Sequence, residues 1–286
     1  MHQTVLEFLL TKFPTASRTT LRRMLAERRV VINDSAARSL KQTLSPADRI
    51  EVKEKAAPVR HSNPALDIIH EDADLIVVNK PAGLLTSTTA KERRPTLWAM
   101  VRRHILAHNP RAQPGLIHRL DKDASGLLVF SRNHRAYQSL KRQFFDHTVD
   151  RIYAAVVIGT PKPPAGSIAS RLVERADGSV YSSTRPGHGD RAITQYETVH
   201  ASQFSLLRVQ LYTGRKHQIR VHLSERGCPI VGDSVYGPAQ SEASRLMLAA
   251  VALSFIHPRT GRKMALHIPP PPELCTAAKH RRDPSG

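Results

Sequence analysis

L-I-H-R-L-D-K-D-A-S-G-L-L, at residues 116–128, places a polar segment between two apolar runs. Residues 116–117 predict one buried strand and residues 127–130 predict the next, with a turn between them. The turn carries two carboxylates, Asp121 and Asp123. Loops presented by a rigid scaffold often hold catalytic groups, so both are candidate catalytic residues. A carboxylate beside an arginine is also typical of a structural salt bridge, and this segment alone leaves both interpretations open.

The chain of 286 residues is strongly basic, with 43 lysines and arginines against 24 aspartates and glutamates and a formal charge of +19. Self-repulsion of this size favours a polyanionic partner. Nucleic acid is the first expectation and an anionic membrane surface the second. No apolar run approaches the ~20 residues of a membrane span, and we find no secretory signal. The two cysteines, Cys228 and Cys275, form no CxxC pair, so we expect a reduced, cytoplasmic protein.

Residues 1–55 predict a small separate domain of α/β type. Apolar residues recur at helical spacing over 5–10, and Ser17 is a candidate N-cap for a second helix. The segments V-V-I-N at 30–33 and D-R-I-E-V at 48–52 predict two strands. A chain segment of this size, with helices and strands of its own, can bury a small core.

The second predicted helix carries Arg18, Arg22 and Arg23. Between positions 14 and 33 the sole acidic residue is Glu27. A solvated helix face is the alternative interpretation, but such a face usually mixes charges of both signs. We therefore interpret this helix as a surface that contacts phosphates.

The rest of the chain predicts a linker followed by one larger domain. Residues 56–65 carry prolines and few apolar side chains, which is typical of a linker. From 66 to 275, strands and helices alternate. Within that domain, residues 160–192 are rich in Gly, Pro, Ser and charge, and predict irregular loops with a weak hairpin. Residues 276–286 predict a disordered basic tail.

The segment T-G-R-K-H-Q-I-R-V-H-L, at 213–223, is a dense cluster of hydrogen-bond donors. Residues 218–223 fit either a strand or a short helix. Arg220 and His222 alternate with apolar residues, so in a strand they would share one face. A basic surface strand fits the pattern, and so does a row of donors from which an arginine pairs with Asp121. His217 and His222 are five residues apart, which does not match the spacing of a helical metal-binding pair. We expect no metal site there.

Three motifs, in the same order, resemble those of the RluA-type pseudouridine synthases. They are N-K-P-A-G-L at 79–84, H-R-L-D-K-D-A-S-G-L-L at 118–128 and L-Y-T-G-R-K-H-Q-I-R-V-H-L at 211–223. The resemblance covers about residues 66–274. It implies an α+β fold with a mixed, mainly antiparallel central sheet flanked by helices and loops. Residues 1–55 separately resemble the small RNA-binding domain of ribosomal protein S-four type.

The resemblance implies an enzyme that isomerises selected uridines of structured RNA without a metal or another cofactor. Ribosomal RNA is the expected substrate, with transfer RNA as the alternative. Asp121 matches the family's catalytic aspartate, and Tyr153, in D-R-I-Y at 150–153, matches the tyrosine that packs against the target base. Arg220 matches the arginine that pairs with the aspartate. We expect a monomer whose partner is RNA and not a membrane.

Further residues are expected to contact substrate or RNA. They are Arg119, His118, Leu120, Lys80, Arg215, His217, Arg18, Arg22 and Arg23. The chain departs from the family pattern at Ala124, where threonine is usual, and at 248–250, where Leu-Ala-Ala replaces the usual Leu-His-Ala. Neither departure changes Asp121, Tyr153 or Arg220.

Two other functions stay open on the residues alone. A non-catalytic RNA-binding protein would have the same charge, although it has no need for a carboxylate amid phosphates. A hydrolase would use Asp121 and Asp123 as an acid–base pair on a glycosidic bond. Release of free uracil would distinguish the hydrolase from the isomerase.

Overall fold

The chain folds into two units, which divide between Ala65 and Leu66. The structure is a computed structural model. The residues it describes are 3–14, 16–26, 29–33, 35–37, 39–52, 66–88, 95–238 and 243–279. The predicted linker at 56–65 lies outside these ranges.

The smaller unit combines two helices with a three-stranded antiparallel sheet. Its elements are α1 (Val5–Lys12), α2 (Arg18–Ala26), β1 (Val30–Ile32), β2 (Ser35–Ala36) and β3 (Ile50–Val52), and the strand order is β2-β1-β3. Helix α1 begins at a capping box in which Thr4 and Glu7 exchange hydrogen bonds. Both predicted helices and both predicted strands are present. The two-residue strand β2 is too short to leave a sequence pattern.

The core of the smaller unit is aliphatic. Buried side chains from both helices and from β1 form it: Val5, Leu9, Leu21, Met24, Val30 and Ile32. Arg18 and Arg22 are exposed on α2, which is the position that a phosphate-contacting surface requires. The side chain of Arg23 is not among those described.

The larger unit is built on one sheet, to which the described residues contribute eleven strands. The strands are β4 (Asp67–Glu71), β5 (Leu75–Lys80), β6 (Gly115–Leu116), β7 (Ser125–Ser131), β8 (Asp150–Ile158), β9 (Ala165–Glu174), β10 (Val180–Ser182), β11 (Asp190–His200), β12 (Phe204–Leu211), β13 (Leu248–Ile256) and β14 (Lys263–His267). The helices are α3 (Leu97–His108), α4 (His134–Phe145), α5 (Gln218–Glu225) and α6 (Pro272–Lys279). Asn133 caps α4 by accepting a hydrogen bond from the backbone N–H of Ala136.

The sheet is mixed and mainly antiparallel, as predicted. Its order is β10-β9-β11-β12-β8-β13-β7-β5-β4, with β14 beside β13 and β6 beside β7. Among the described strands, β13 and β7 form the one parallel pair. Gly126 lies at this junction with a φ of 115°, and a Cβ there would lie 2.2 Å from the carbonyl oxygen of Ala250. The two backbones therefore approach closely only because residue 126 has no side chain.

Both faces of the central strands are buried, which explains their uninterrupted apolar runs. Successive residues of β5 illustrate this. Ile76 and Val78 face one hydrophobic cluster, together with residues of α3, α5 and α6. Leu75 and Val77 face a second cluster, which contains Leu140 of α4. The strand that precedes the N-K-P-A-G-L motif is thereby held rigidly on both sides.

One prediction about the larger unit was wrong and one was partly confirmed. Residues 276–279 are not a tail. They end α6, whose Leu274 and Ala278 are buried at i, i+4 spacing. Residues 280–286 lie outside the described ranges. Residues 160–192 contain the predicted hairpin, formed by β9 and β10, but β9 also pairs with β11 over eight positions, so much of the segment belongs to the sheet. Residues 218–223, which fitted a strand or a short helix, form helix α5.

Candidate active site

The loop that carries Asp121 is fixed by a buried lysine. Lys80 has no exposed surface, and its Nζ donates hydrogen bonds to the carbonyls of Pro81, Leu84 and Lys122 at 2.7–2.9 Å. The prediction that Lys80 contacts RNA is therefore wrong, because its three donors are used inside the protein. Burial lowers the pKa of Lys80 to about 8, although the carboxylates of Asp123 and Asp121 oppose that shift.

A second contact joins the same two loops. Thr86 donates its hydroxyl hydrogen to the carbonyl of Leu120 at 2.8 Å, and the N–H of Leu120 contacts the same hydroxyl oxygen at 3.2 Å. The N–H of Gly83, whose φ is +81°, donates to the carbonyl of Lys122 at 2.9 Å. These bonds fix the backbone on both sides of Asp121.

Arg220 bridges two carboxylates. Its Nε and Nη2 donate to Asp233 at 2.7 and 2.8 Å, and its Nη1 contacts Oδ2 of Asp121 at 3.4 Å. The side chain of Asp121 remains 25% exposed, whereas that of Asp233 is fully buried. The structure thus brings Asp121 and Arg220 together, and Asp121 keeps an accessible carboxylate.

Asp233 is the main partner of Arg220, and sequence reasoning gave it no role. Burial alone would raise its pKa, but the hydrogen bonds and charge of Arg220, together with the backbone hydrogen bonds from Tyr236 and Val235, outweigh burial and lower the pKa below its ordinary value. Its Oδ1 also accepts hydrogen bonds from the N–H groups of Val235 and Tyr236. The sole sequence signal was the turn P-I-V-G-D-S-V-Y-G at 229–237, in which an acidic residue follows a glycine.

Tyr153 and Asp121 line the same cleft, which encloses about 1440 Å³. Tyr153 lies on β8 and is 6% exposed. Burial raises its pKa, and the nearby charge of Asp121 adds to that rise while Arg151 opposes it. The phenol is therefore neutral at physiological pH. Leu120, which is 7% exposed, also lines this cleft.

Arg119 and His118, which precede Asp121, differ in charge and in the contacts that they can make with a ligand. Arg119 is exposed and lines the cleft, as expected for an RNA contact. His118 stacks on Phe144 with 4.5 Å between ring centroids, and its Nε2 accepts a hydrogen bond from the N–H of Val129. Burial lowers the pKa of His118 to about 3. His118 is therefore neutral. It lines the cleft, so its contact with substrate or RNA stays a prediction.

Helix α5 presents its side chains differently from a strand. Gln218, Arg220 and His222 are all buried. Gln218 and His222 find polar partners on neighbouring strands, whereas Arg220 finds its partners, Asp121 and Asp233, in loops. Because the segment is buried on every side, it has no polar face, and its periodicity alone does not distinguish a short helix from a strand.

The other donors of this motif have protein partners and still line the cleft. Arg215 is exposed and contacts Asp190 at 3.7 Å. His217 begins α5 with a φ of 53°, and its Nδ1 lies 2.8 Å from the hydroxyl of Tyr236. Burial lowers the pKa of His217, so it is not a strong cationic contact.

A metal could be held by one group of side chains in the described ranges, and that group is not at Asp121. It consists of Asp72, Asp74 and His257. His257 contacts Asp72 at 3.0 Å and Arg259 contacts Asp74 at 2.7 Å. These ion pairs account for the cluster without a metal.

A family model described as RNA pseudouridylate synthase matches residues 74–225, which include Asp121, Tyr153 and Arg220. The chain belongs to the RNA pseudouridine synthase family. This pseudouridine synthase is 34% identical, over 93% of its length, to an uncharacterized RNA pseudouridine synthase of Bacillus subtilis, of which it covers 90%. It is also 34% identical, over 91% of its length, to ribosomal large subunit pseudouridine synthase D of Neisseria meningitidis, of which it covers 74%.

Its fold matches a solved structure of the same kind. Human RNA pseudouridylate synthase domain containing 4 aligns with a TM-score of 0.62 and 24% identity, over 73% of this chain and 90% of the human chain. The family model and the curated relatives confirm the predicted RluA-type family and the isomerase activity, and the enzyme acts on RNA. Within the described ranges, no helix of this synthase is long and apolar enough to cross a membrane.

Proposed function

We propose that this pseudouridine synthase modifies uridines of ribosomal RNA and that Asp121 is its catalytic carboxylate. The observation that carries the proposal is the accessible carboxylate of Asp121, held beside Arg220 and sharing a cleft with Tyr153. Ribosomal RNA is favoured over transfer RNA by the similarity to the synthase of Neisseria meningitidis that is named for the large ribosomal subunit.

The chemistry explains why a carboxylate is needed. The bond between ribose and nitrogen 1 of uracil must break, which leaves positive character on the sugar. A carboxylate beside that carbon can stabilise the charge, attack the carbon or remove a neighbouring proton. Arg220 orients Asp121 and keeps a positive charge beside its carboxylate when RNA displaces water from the cleft. Carbon 5 of the rotated base then bonds to the same sugar carbon. Carbon 5 releases its hydrogen as a proton and nitrogen 1 takes up a proton, so the product is an isomer of the substrate.

Tyr153 supports the second half of this reaction. The detached uracil must turn without leaving, and an aromatic wall beside Leu120 can confine a flat base while it rotates. Because the pKa of Tyr153 is raised, its phenol adds no negative charge next to Asp121.

The arrangement of Asp123 favours an isomerase mechanism over two-carboxylate hydrolysis. Asp123 is 49% exposed and pairs with Lys122 at 3.8 Å, whereas Asp121 faces Arg220. The two carboxylates therefore engage different partners, while acid–base hydrolysis needs both to flank one bond.

The smaller unit supplies RNA affinity in this proposal, in the manner of the S-four type domain that it resembles. Arg18 and Arg22 are exposed on α2, and such contacts release counterions from RNA. Their binding energy offsets the few kcal/mol required to flip a paired uridine out of its stack.

The test is pseudouridine mapping on RNA from cells with and without the gene, by carbodiimide adducts and reverse transcription. We expect a site in ribosomal RNA to disappear with the gene, to return with the wild-type gene and to stay absent with Asp121→Asn. The purified Asp121→Asn protein should still bind RNA. Loss of a site in transfer RNA alone would overturn the substrate, and near wild-type turnover by Asp121→Asn would overturn the catalytic carboxylate.

A further inference from the structure

Arg151 is a buried cation that lacks an ionic partner. It lies on β8 and is 8% exposed. Within the part of the chain that the structure describes, it forms no ion pair and its Nε has no hydrogen-bond partner. The guanidinium instead lies over the ring of Phe144, 5.6 Å from its centroid. Arg220, in the same cleft, shows the usual arrangement, since two carboxylates surround it.

An unpaired buried guanidinium destabilises the fold unless a ligand supplies the missing negative charge and hydrogen-bond acceptors. Arg151 lines the cleft that contains Asp121. Gly214 leaves room for the guanidinium because it has no side chain. A Cβ at residue 214 would lie 2.5 Å from Nη1 of Arg151. Burial also lowers the pKa of Arg151, which is the effect expected of a cation without a counterion. An anion is therefore the expected ligand.

The position of Arg151 indicates which anion. Residues i and i+2 of a strand share a face and lie about 6.6 Å apart, so Arg151 is next to Tyr153. If Tyr153 walls the target uracil, the phosphodiester of that nucleotide passes within reach of Arg151. Lysine and arginine outnumber carboxylates by eight to three among the lining residues, as suits a ribose-phosphate backbone.

Phe145 is the second unusual side chain of this cleft. It ends α4 and is 82% exposed, although its neighbour Phe144 is covered by His118 and Arg151. Phe145 lines the same cleft. An aromatic ring that is exposed among basic side chains is suited to stack on an unpaired base. The cleft also exceeds the roughly 300–1,000 Å³ of ordinary ligand pockets, so it can admit more than the target nucleotide.

We propose that Arg151 and Phe145 form a second nucleotide subsite, in which Arg151 binds the phosphodiester that joins the target uridine to its neighbour and Phe145 stacks on the base of that neighbour. This inference rests on the proposed reaction of uridine beside Asp121. It adds a preference for RNA in which the adjacent base is also unpaired.

The experiment measures the binding of a short fluorescent RNA hairpin, with a single uridine in its loop, to the full chain. Arg151→Met should weaken binding at least about tenfold and reduce the salt slope by about one. Two further hairpins each carry one neutral methylphosphonate, on one side of the uridine or on the other. With one of these two hairpins, the wild type and Arg151→Met should bind equally well. Phe145→Ala should weaken binding about fivefold or more, and an abasic neighbour should abolish that loss.

Controls separate binding from folding. Val199 is 62% exposed and is not among the residues that line the cleft, so Val199→Ala should bind as the wild type does. Arg151→Met should keep or raise the melting temperature, because it removes an unpaired buried charge, whereas a structural role would lower it.

Wild-type affinity in both variants, or losses that persist with the methylphosphonate and abasic hairpins, would overturn the subsite. Because binding is measured without turnover, a wild-type protein that makes no pseudouridine would refute the proposed function and still leave the subsite result readable.

Discussion

Replacement of Asp233 by asparagine tests the support of the active site most directly. Asp233 is fully buried and accepts two hydrogen bonds from Arg220, at 2.7 and 2.8 Å. Asparagine has the same size, but it removes the charge and turns one acceptor towards Arg220 into a donor. Arg220, which is 7% exposed, then keeps one hydrogen bond to the amide oxygen, and its contact with a carboxylate is reduced to that of 3.4 Å with Asp121.

The expected loss of stability follows from this geometry. Removing one partner of a buried ion pair costs about 3–5 kcal/mol. Because asparagine retains one acceptor and Asp121 stays beside Arg220, we expect the lower end, about 3 kcal/mol in the free energy of unfolding. Urea denaturation of the full chain measures it. Asp150→Asn is the matched control, since Asp150 forms an exposed pair with Lys263 at 3.7 Å and should cost no more than about 1 kcal/mol.

The same change should slow catalysis. On the proposed mechanism, Asp233→Asn leaves Arg220 free to move and to draw Asp121 away from the sugar. We expect the single-turnover rate at saturating RNA to fall at least about tenfold, which is about 1.4 kcal/mol of barrier, with little change in RNA affinity. Release of tritium from carbon 5 of labelled uridine reports the rate. If Asp233→Asn were no less stable than Asp150→Asn and reacted at the wild-type rate, the supporting role of Asp233 would be refuted.

Three further predictions concern Lys80, His222 and helix α2 of the smaller unit. Lys80→Met should lower the free energy of unfolding by about 2–4 kcal/mol, because three buried carbonyls lose their donor. Lys122→Met is the control for urea denaturation, and equal stability of the two variants would contradict the assigned role. His222, with a pKa lowered to about 4, contributes stability that is complete above pH ~6.5 and falls by about 3 kcal/mol as the pH drops to 4. Stability curves against pH that stayed parallel for His222→Gln and the wild type would disprove this. Arg22→Ala with Arg23→Ala should weaken RNA binding and reduce the slope of its salt dependence by about one for each phosphate that the protein no longer neutralises, so an unchanged slope would remove α2 from the RNA interface.

The sequence predicted those strands and helices whose pattern of apolar residues lies within one short segment of the chain. The runs at 127–130 and 75–80 belong to strands that are buried on both faces, and Asn133 begins a helix as its type suggests. The loop of Asp121 was predictable because polar residues interrupt two such runs. The antiparallel sheet and the roles of Asp121, Tyr153 and Arg220 came from the family resemblance, since composition and spacing carry no record of strand order.

What the sequence could not predict depends on contacts between distant residues. Lys80 has the charge of an RNA contact, yet three carbonyls from two loops surround it. Asp233 acts through Arg220, which lies on a different element. Residues 165–174 mix small, polar and apolar side chains without a regular alternation, so their pairing with β11 supplies the stability that their own pattern does not indicate. In each case a tertiary partner overrides the local signal.

The sharing of Arg220 between two carboxylates has a consequence for the proposed reaction. Asp233 takes two short hydrogen bonds from the guanidinium, so most of the charge of Arg220 is neutralised before Asp121 approaches. The remaining contact of 3.4 Å is longer than an ordinary charge-assisted hydrogen bond. It orients Asp121 without binding it tightly, which leaves a carboxylate oxygen available to the sugar. An arginine paired with Asp121 alone would hold that carboxylate more strongly and compete with the sugar for it. Asp233 therefore sets how firmly Arg220 holds Asp121, and for this reason a residue without access to RNA should change the rate of the reaction.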